Sequence, residues 1–181
     1  PLSGGKVTIS GKKGSQLISG LLMALPLSKK NSQLRVTNAT SLPYIKLTLD
    51  VISQFGIEIS YQIDGKDIVF DIPGKQSYKP ATLKMEGDWS SASNFIVAGA
   101  LFGDVLIKGL RMDSCQADRA IVDIVRGCGG YVEEEDGGLR VKRSHLKAFE
   151  YDATNSPDLF PVLAVLAAYC EGESAIHGVE R

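Results

Sequence analysis

Three short segments place polar side chains where the start of a helix would aim them at a ligand. Gly11-Lys12-Lys13-Gly14-Ser15-Gln16 leads from an alternating, strand-like stretch at 6–10 into an almost wholly apolar helical pattern. The free N–H groups and positive dipole character at a helix's amino end attract anions, so this turn can seat a phosphate. It reads equally well as a glycine turn closed by an N-cap serine. It is not a nucleotide-hydrolysing P-loop, because no Gly-Lys-Ser/Thr follows at the required spacing. Ser41-Leu42-Pro43-Tyr44 opens the next helix, with Ser41 at the cap and Tyr44 offering a polar handle over a ring-shaped ligand; taken alone it reads as ordinary capping. Asn155-Ser156-Pro157-Asp158 opens a third helix and puts the Asp158 carboxylate in the first turn. That place suits a cap, and it also suits a general base.

Other reactive residue types have plainer readings. His145 and His177 have no partner at i,i+4 and no neighbouring cysteine, so the sequence gives little support for a metal site or a nucleophile triad. Cys115, Cys128 and Cys170 form no C-x-x-C pair, and their odd number fits reduced thiols in a cytoplasmic protein. Glu133-Glu134-Glu135-Asp136 marks a solvated hairpin edge. Asn38-Ala39-Thr40 is only a formal glycosylation sequon.

The elements that position these residues repeat along the chain. Apolar helical patterns start at Ser15, Ser90 and Ser156, and strands at 33–38, 104–109 and 173–178 follow them. A second, amphipathic helix has Ile45, Leu49 and Ile52 on one face in the first copy, and Ile121, Ile124, Val125 and Cys128 in the second. Glycine closes each of these helices. Hairpins turning at Asp64-Gly65-Lys66 and Asp136-Gly137-Gly138 complete the copies. The predicted order is β-α-β-α-β-β about twice over, with a third copy cut off after its first helix and second strand. Helices that are apolar on every side need protein around them. The expected α/β architecture is therefore an inside-out α/β barrel, with helices central and sheets outside. An incomplete third copy leaves apolar helix surface to be covered by further chain or by a second copy, so self-association is expected.

Composition bounds the partners. In 181 residues, 20 basic side chains face 21 acidic ones, which disfavours a general nucleic-acid binder. The charge is unevenly spread: residues 1–85 carry 11 Lys and Arg against 5 Asp and Glu, and 86–181 carry 9 against 16. The first part thus favours anionic small ligands. The apolar run at 159–170 is shorter than the roughly 20 residues of a membrane helix, so no membrane span is expected. A beginning at Pro1 rather than Met is expected of a processed chain or of a piece from something longer.

Four ordered motifs together resemble the 3-phosphoshikimate 1-carboxyvinyltransferase family, the 5-enolpyruvylshikimate-3-phosphate synthases. They are Gly14-Ser15-Gln16 before its apolar helix, Ser41-Leu42-Pro43-Tyr44, Glu86-Gly87-Asp88-Trp89-Ser90-Ser91, and Ser156-Pro157-Asp158. The resemblance covers essentially the whole chain but only the middle of the family's length. It implies an enolpyruvyl transferase-like fold of two domains, each of three β-α-β-α-β-β units, closing on ligands in the cleft between them. Residues 1–85 would be the last unit of the first domain. Residues 86–181 would be the first unit of the second domain and the start of the next, with the hinge near 86–88.

The implied reaction transfers the enolpyruvyl group of phosphoenolpyruvate to the 5-hydroxyl of shikimate 3-phosphate, releasing phosphate through a tetrahedral intermediate, in the shikimate pathway of aromatic amino-acid biosynthesis. No metal or organic cofactor is implied. By resemblance, Ser15 and Gln16 bind shikimate 3-phosphate, and Gln16 also approaches phosphoenolpyruvate. Ser41 contacts the phosphate, Tyr44 the ring, and Arg181 a further part of the substrate. Asp158 binds shikimate hydroxyls and accepts the proton of the attacking 5-hydroxyl. Gly14 stands where the family usually has a second serine. The family's substrate-clamping lysines and arginines lie outside these residues, so the remainder of the polypeptide is an implied partner and the fragment alone is expected to be inactive. Three other readings remain open. One is a non-catalytic module that binds a phosphometabolite or packs against a partner. Another is the sister enzyme acting on UDP-N-acetylglucosamine, although the Ser-Gln and Ser-x-Pro-Tyr motifs favour the shikimate enzyme. The third, a nucleic-acid-processing relative, lacks the basic surface it would need in 86–181.

Overall fold

The computed structural model describes residues 2–179. The chain divides into two compact units, Pro1–Leu83 and Lys84–Arg181, each with its own hydrophobic core. Arg181 lies outside the described residues.

The first unit runs β1 (Gly5–Ser10), α1 (Gln16–Ala24), β2 (Ser32–Thr37), α2 (Leu42–Gln54), β3 (Ser60–Asp64) and β4 (Asp67–Ile72). β1 pairs parallel with β2, and β4 pairs antiparallel with β2 and β3, giving the sheet order β1-β2-β4-β3. Side chains alternate across a pleated strand, so Leu34, Val36, Ile68, Phe70 and Ile72 share one face. They meet Ile18 and Leu22 of α1 and Ile45 and Ile52 of α2, and all are nearly fully buried. Burying each such side chain contributes roughly 1.5–3 kcal/mol, which is what fixes both helices on this face. The opposite face is polar: Gln33 donates to Asp71 (2.8 Å), and Arg35 pairs with Asp67 (3.0 Å). Although α1 is apolar nearly all round, it buries only Ile18 and Leu22, and Leu17 is 64% exposed.

After β4 the chain straps back over its own unit. Lys75 N–H donates to Ser28 O (2.7 Å), Gln76 N–H to Pro26 O (2.9 Å), Lys79 N–H to Phe55 O (2.8 Å), and the Tyr78 hydroxyl to Met23 O (2.7 Å).

The second unit runs α3 (Trp89–Phe102), β5 (Asp104–Lys108), α4 (Ile121–Gly127), β6 (Tyr131–Glu135), β7 (Gly138–Lys142), β8 (Glu150–Asp152), α5 (Phe160–Tyr169) and β9 (Ala175–His177). β5, β7 and β6 form an antiparallel sheet, and β8 and β9 form a separate parallel pair. The expected second copy lacks its leading strand. Gly87 N–H does reach Gly109 O (2.8 Å), but the Gly87 carbonyl is taken by the Gln116 side-chain amide (3.0 Å) rather than by a neighbouring strand. Gln116 also accepts from Trp89 N–H (2.9 Å), and Asp88 already caps α3, so the segment is a clasp instead of a ladder.

That cap is made by the Asp88 carboxylate, which accepts from Ser90 N–H (3.2 Å), Ser91 N–H (3.0 Å) and the Ser91 hydroxyl. Trp89 is fully buried, with its indole N–H on Arg111 O (3.2 Å). Unlike α1, α3 has eight buried residues, because β5, β7, α4 and α5 all pack against it.

The third apolar helix starts later than expected. Two 3₁₀ turns, Ala153–Asn155 and Pro157–Leu159, precede it, and α5 proper begins at Phe160. Pro157 and Pro161 lack N–H donors, and Ser156 sits at φ −134° and ψ 60°, outside the helical region, which postpones the regular ladder.

Candidate active site

In the first unit, β1 and β2 lie side by side and parallel, so the loops leaving their carboxyl ends emerge together. One carries Ser15 and Gln16 into α1, and the other carries Ser41 and Tyr44 into α2. The two loops are stitched to each other. Gly11 N–H donates to Thr37 O (2.8 Å), and the Thr40 hydroxyl donates to Gly11 O (2.9 Å). A Cβ on Gly11 would stand 2.7 Å from the Ala39 Cα, so only glycine permits this crossing. One turn further in, the Ser19 and Thr48 hydroxyls hydrogen-bond at 2.7 Å and tie α1 to α2.

Neither serine caps its helix, which corrects the capping expectation for both. Ser15 is 8% exposed and already in helical geometry (φ −91°, ψ −14°), so its hydroxyl is not directed back at the first-turn amides. Ser41 is 4% exposed and left-handed (φ 56°, ψ 40°), a conformation unusual for a non-glycine residue and concentrated at functional positions. The amino ends of α1 and α2 thus lie at one corner of the unit, with exposed Lys12 and Lys13 on the adjoining loop. The corner can hold a phosphorylated, hydroxylated ligand.

Gln16 is exposed, and its carboxamide folds over Gly14. Gly14 has φ +102°, and a Cβ there would lie 2.8 Å from Gln16 Oε1.

Asp158 belongs to the second unit. It occupies the 3₁₀ turn Pro157–Leu159 and is exposed, while its neighbours Ser156 and Leu159 are buried. No side chain caps α5, so Asp158 does not fill the capping role there. Under the turn, Tyr151 Oη and Ser156 Oγ stand 2.6 Å apart. Burial pushes the Tyr151 phenol above its ordinary range, the Ser156 bond opposes this, and the nearby Asp118 carboxylate adds to the rise. Sequence reasoning missed Tyr151 and Asp118. Asp118 is 2% exposed, and a buried acid in a polar stretch leaves no periodic signal.

The remaining candidates lie elsewhere. His145 pairs with Glu171 (2.9 Å) and His177 with Glu150 (3.1 Å), both on exposed surface. No group of three His, Cys, Asp or Glu arranged to hold a metal ion occurs among the described residues. Burial, with Cys170 nearby, pushes the Cys128 thiol up to about 12. No helix among the described residues is long and apolar enough to cross a membrane.

Comparison with known proteins shows the family of the chain. The family model described as EPSP synthase (3-phosphoshikimate 1-carboxyvinyltransferase) matches residues 1–181. The 3-phosphoshikimate 1-carboxyvinyltransferase of Archaeoglobus fulgidus is 41% identical over 182 residues, covering 99% of this chain and 42% of that protein. Its namesake from Methanococcus vannielii is 37% identical over 183 residues, covering 99% and 43%. The chain therefore spans about two fifths of the length of these relatives. In fold it is similar to EPSP synthase from Acinetobacter baumannii (TM-score 0.70, 21% identity, 97% of this chain and 40% of that one). It is also similar to the enolpyruvyl transferase NikO from Streptomyces tendae (TM-score 0.62, 18% identity, 93% and 44%). With its full length matched by the family model and its fold shared with enolpyruvyl transferases, the chain belongs to the EPSP synthase family.

Proposed function

We propose that this chain supplies part of a carboxyvinyltransferase site that moves the enolpyruvyl group of phosphoenolpyruvate onto the 5-hydroxyl of shikimate 3-phosphate. The observation that carries the reading is the stitched pair of loops that puts Ser15, Gln16, Ser41 and Tyr44 at one corner of the first unit. There the helix amino ends and hydroxyls receive the phosphate and ring of shikimate 3-phosphate, and Gln16 also meets phosphoenolpyruvate. Asp158 takes the proton of the 5-hydroxyl as that oxygen bonds to the enolpyruvyl carbon; phosphate then leaves the tetrahedral intermediate. Arg181 adds a substrate contact.

Residues 1–85 act as the last unit of a first domain, and 86–181 as the opening of a second. Lys79 is bonded into the first unit and Gly87 into the second, and the hinge is near 86–88, where that connection ends. The remainder of the polypeptide supplies the cations that clamp both phosphates and covers the exposed apolar residues Phe95, Phe102, Phe160 and Tyr169; without it the segment self-associates. Three unlinked cysteines suit work in the cytoplasm.

Calorimetry with shikimate 3-phosphate tests the reading in a polypeptide of the relatives' full length. Binding that weakens about tenfold in Gln16→Ala, the cost of roughly one hydrogen bond to a charged ligand, supports it. Binding untouched by Gln16→Ala and by Ser41→Ala overturns the assignment of the corner.

A further inference from the structure

We infer that Tyr151 is a positioning residue for Asp158, acting through Ser156; the inference rests on Asp158 being the proton acceptor. Two backbone bonds close the Asp158 turn, Leu159 N–H on Ser156 O (3.1 Å) and Phe160 N–H on Pro157 O, while Pro157 contributes no N–H; both depend on where Ser156 sends the chain. Ser156 is the joint between the two 3₁₀ turns, since its own N–H donates to Ala153 O (3.1 Å). Its non-helical backbone angles set the direction in which Pro157 and Asp158 leave.

Ser156 does not cap the turn with its hydroxyl. Instead the hydroxyl is held at 2.6 Å by the Tyr151 phenol, and at 1% exposure water cannot take the phenol's place. Tyr151 is itself anchored, by strand pairing of β8 with β9 opposite Ile176 and by packing of its ring against the core of the second unit. The chain of contacts therefore runs from a sheet and a core, through one buried hydrogen bond, to the backbone that carries an exposed carboxylate. A proton acceptor must keep hydrogen-bond reach of the hydroxyl it serves, and a displacement of about 1 Å can cost on the order of a hundredfold in rate.

The test is steady-state phosphate release with both substrates, in a polypeptide of the relatives' full length. Tyr151→Phe removes only the phenol oxygen and is expected to lower kcat about tenfold, with a smaller change in KM for shikimate 3-phosphate. Ser156→Ala is expected to do the same, and the double variant to be no worse than either single one. On an Asp158→Asn background, Tyr151→Phe should change kcat less than twofold. If Asp158→Asn abolishes turnover while Tyr151→Phe and Ser156→Ala lower only thermal stability, the positioning role is overturned and the proton-acceptor reading stands. If Asp158→Asn itself retains kcat, both fall. Should Ser156→Ala fail to fold, Ser156→Thr, which keeps the hydroxyl, is expected to retain kcat; loss of turnover in a folded Ser156→Thr would count against the hydroxyl's part.

Discussion

The same β-α-β arrangement occurs twice in this chain and ends in opposite chemistry. In the first unit, β1-α1-β2 joins parallel strands, and the turn into the helix offers donors: a serine that does not cap, a glutamine and two lysines. In the second unit, β8-α5-β9 also joins parallel strands, and the turn into the helix offers an acceptor, Asp158. Two prolines and a pair of 3₁₀ turns replace the glycine loop. A β-α-β unit therefore fixes where the turn into its helix emerges, while the turn residues decide whether it offers donors or an acceptor. The two helices differ in their surroundings as well. α3, at the start of the second unit, is capped by a carboxylate and buries eight of its 14 residues; α1 has no side-chain cap and buries two of its nine.

The largest expected effect tests the acceptor side of this contrast. Asp158→Asn keeps the shape of the turn and removes its basicity, so kcat should fall by about a hundredfold to ten-thousandfold, with folding unchanged by circular dichroism. An active Asp158→Asn would reduce the two turns to variants of one anion-binding design.

Capping gives the next effect. The Ser91 hydroxyl bond, followed by the Ser91 and Ser90 amide bonds, holds the Asp88 carboxyl below its ordinary range. A carboxyl depressed in the folded state stabilises fully above its unfolded value of 3.8 and ceases to do so as the pH drops through the lower folded value. Asp88 is exposed, so solvent screens the effect. Asp88→Ala should cost about 1 kcal/mol at neutral pH in urea unfolding of the second unit, with the difference vanishing as the acid limit is approached. A constant penalty down to that limit would mean that the serines, and not the charge, make the cap.

The smallest effect comes from the uncapped side. Ser15→Ala should alter stability by less than about 0.5 kcal/mol, because no cap is lost, while weakening shikimate 3-phosphate binding. A stability loss near that of Asp88→Ala would show Ser15 acting as a cap in solution.

Much of this organisation could be read before any coordinates. Apolar periodicity located α1, α3 and the body of α5, and the Asp-Gly turns located both hairpins, because these features are set by residues close in sequence. Part of what escaped depends on contacts distant in sequence. The missing leading strand of the second copy follows from Gln116 taking the backbone groups of Gly87 and Trp89. The left-handed Ser41 and the Tyr151–Ser156 bond, which spans only five residues, escaped for another reason: neither belongs to a periodic element that leaves a pattern in the sequence. For the site, the sequence indicated which turns carry Ser15, Gln16, Ser41, Tyr44 and Asp158. It could not show that the first two turns are stitched together, nor that neither serine serves as a cap.

Gly14 and Gln16 compete for one small volume. With the carboxamide oxygen resting where a fourteenth side chain would begin, adding a hydroxymethyl group there obliges the glutamine to swing away, and the backbone to accept a dihedral that L-residues resist. A side chain at position 14 and a glutamine in its present pose are thus mutually exclusive, so a serine placed there would gain its hydroxyl only by displacing the carboxamide.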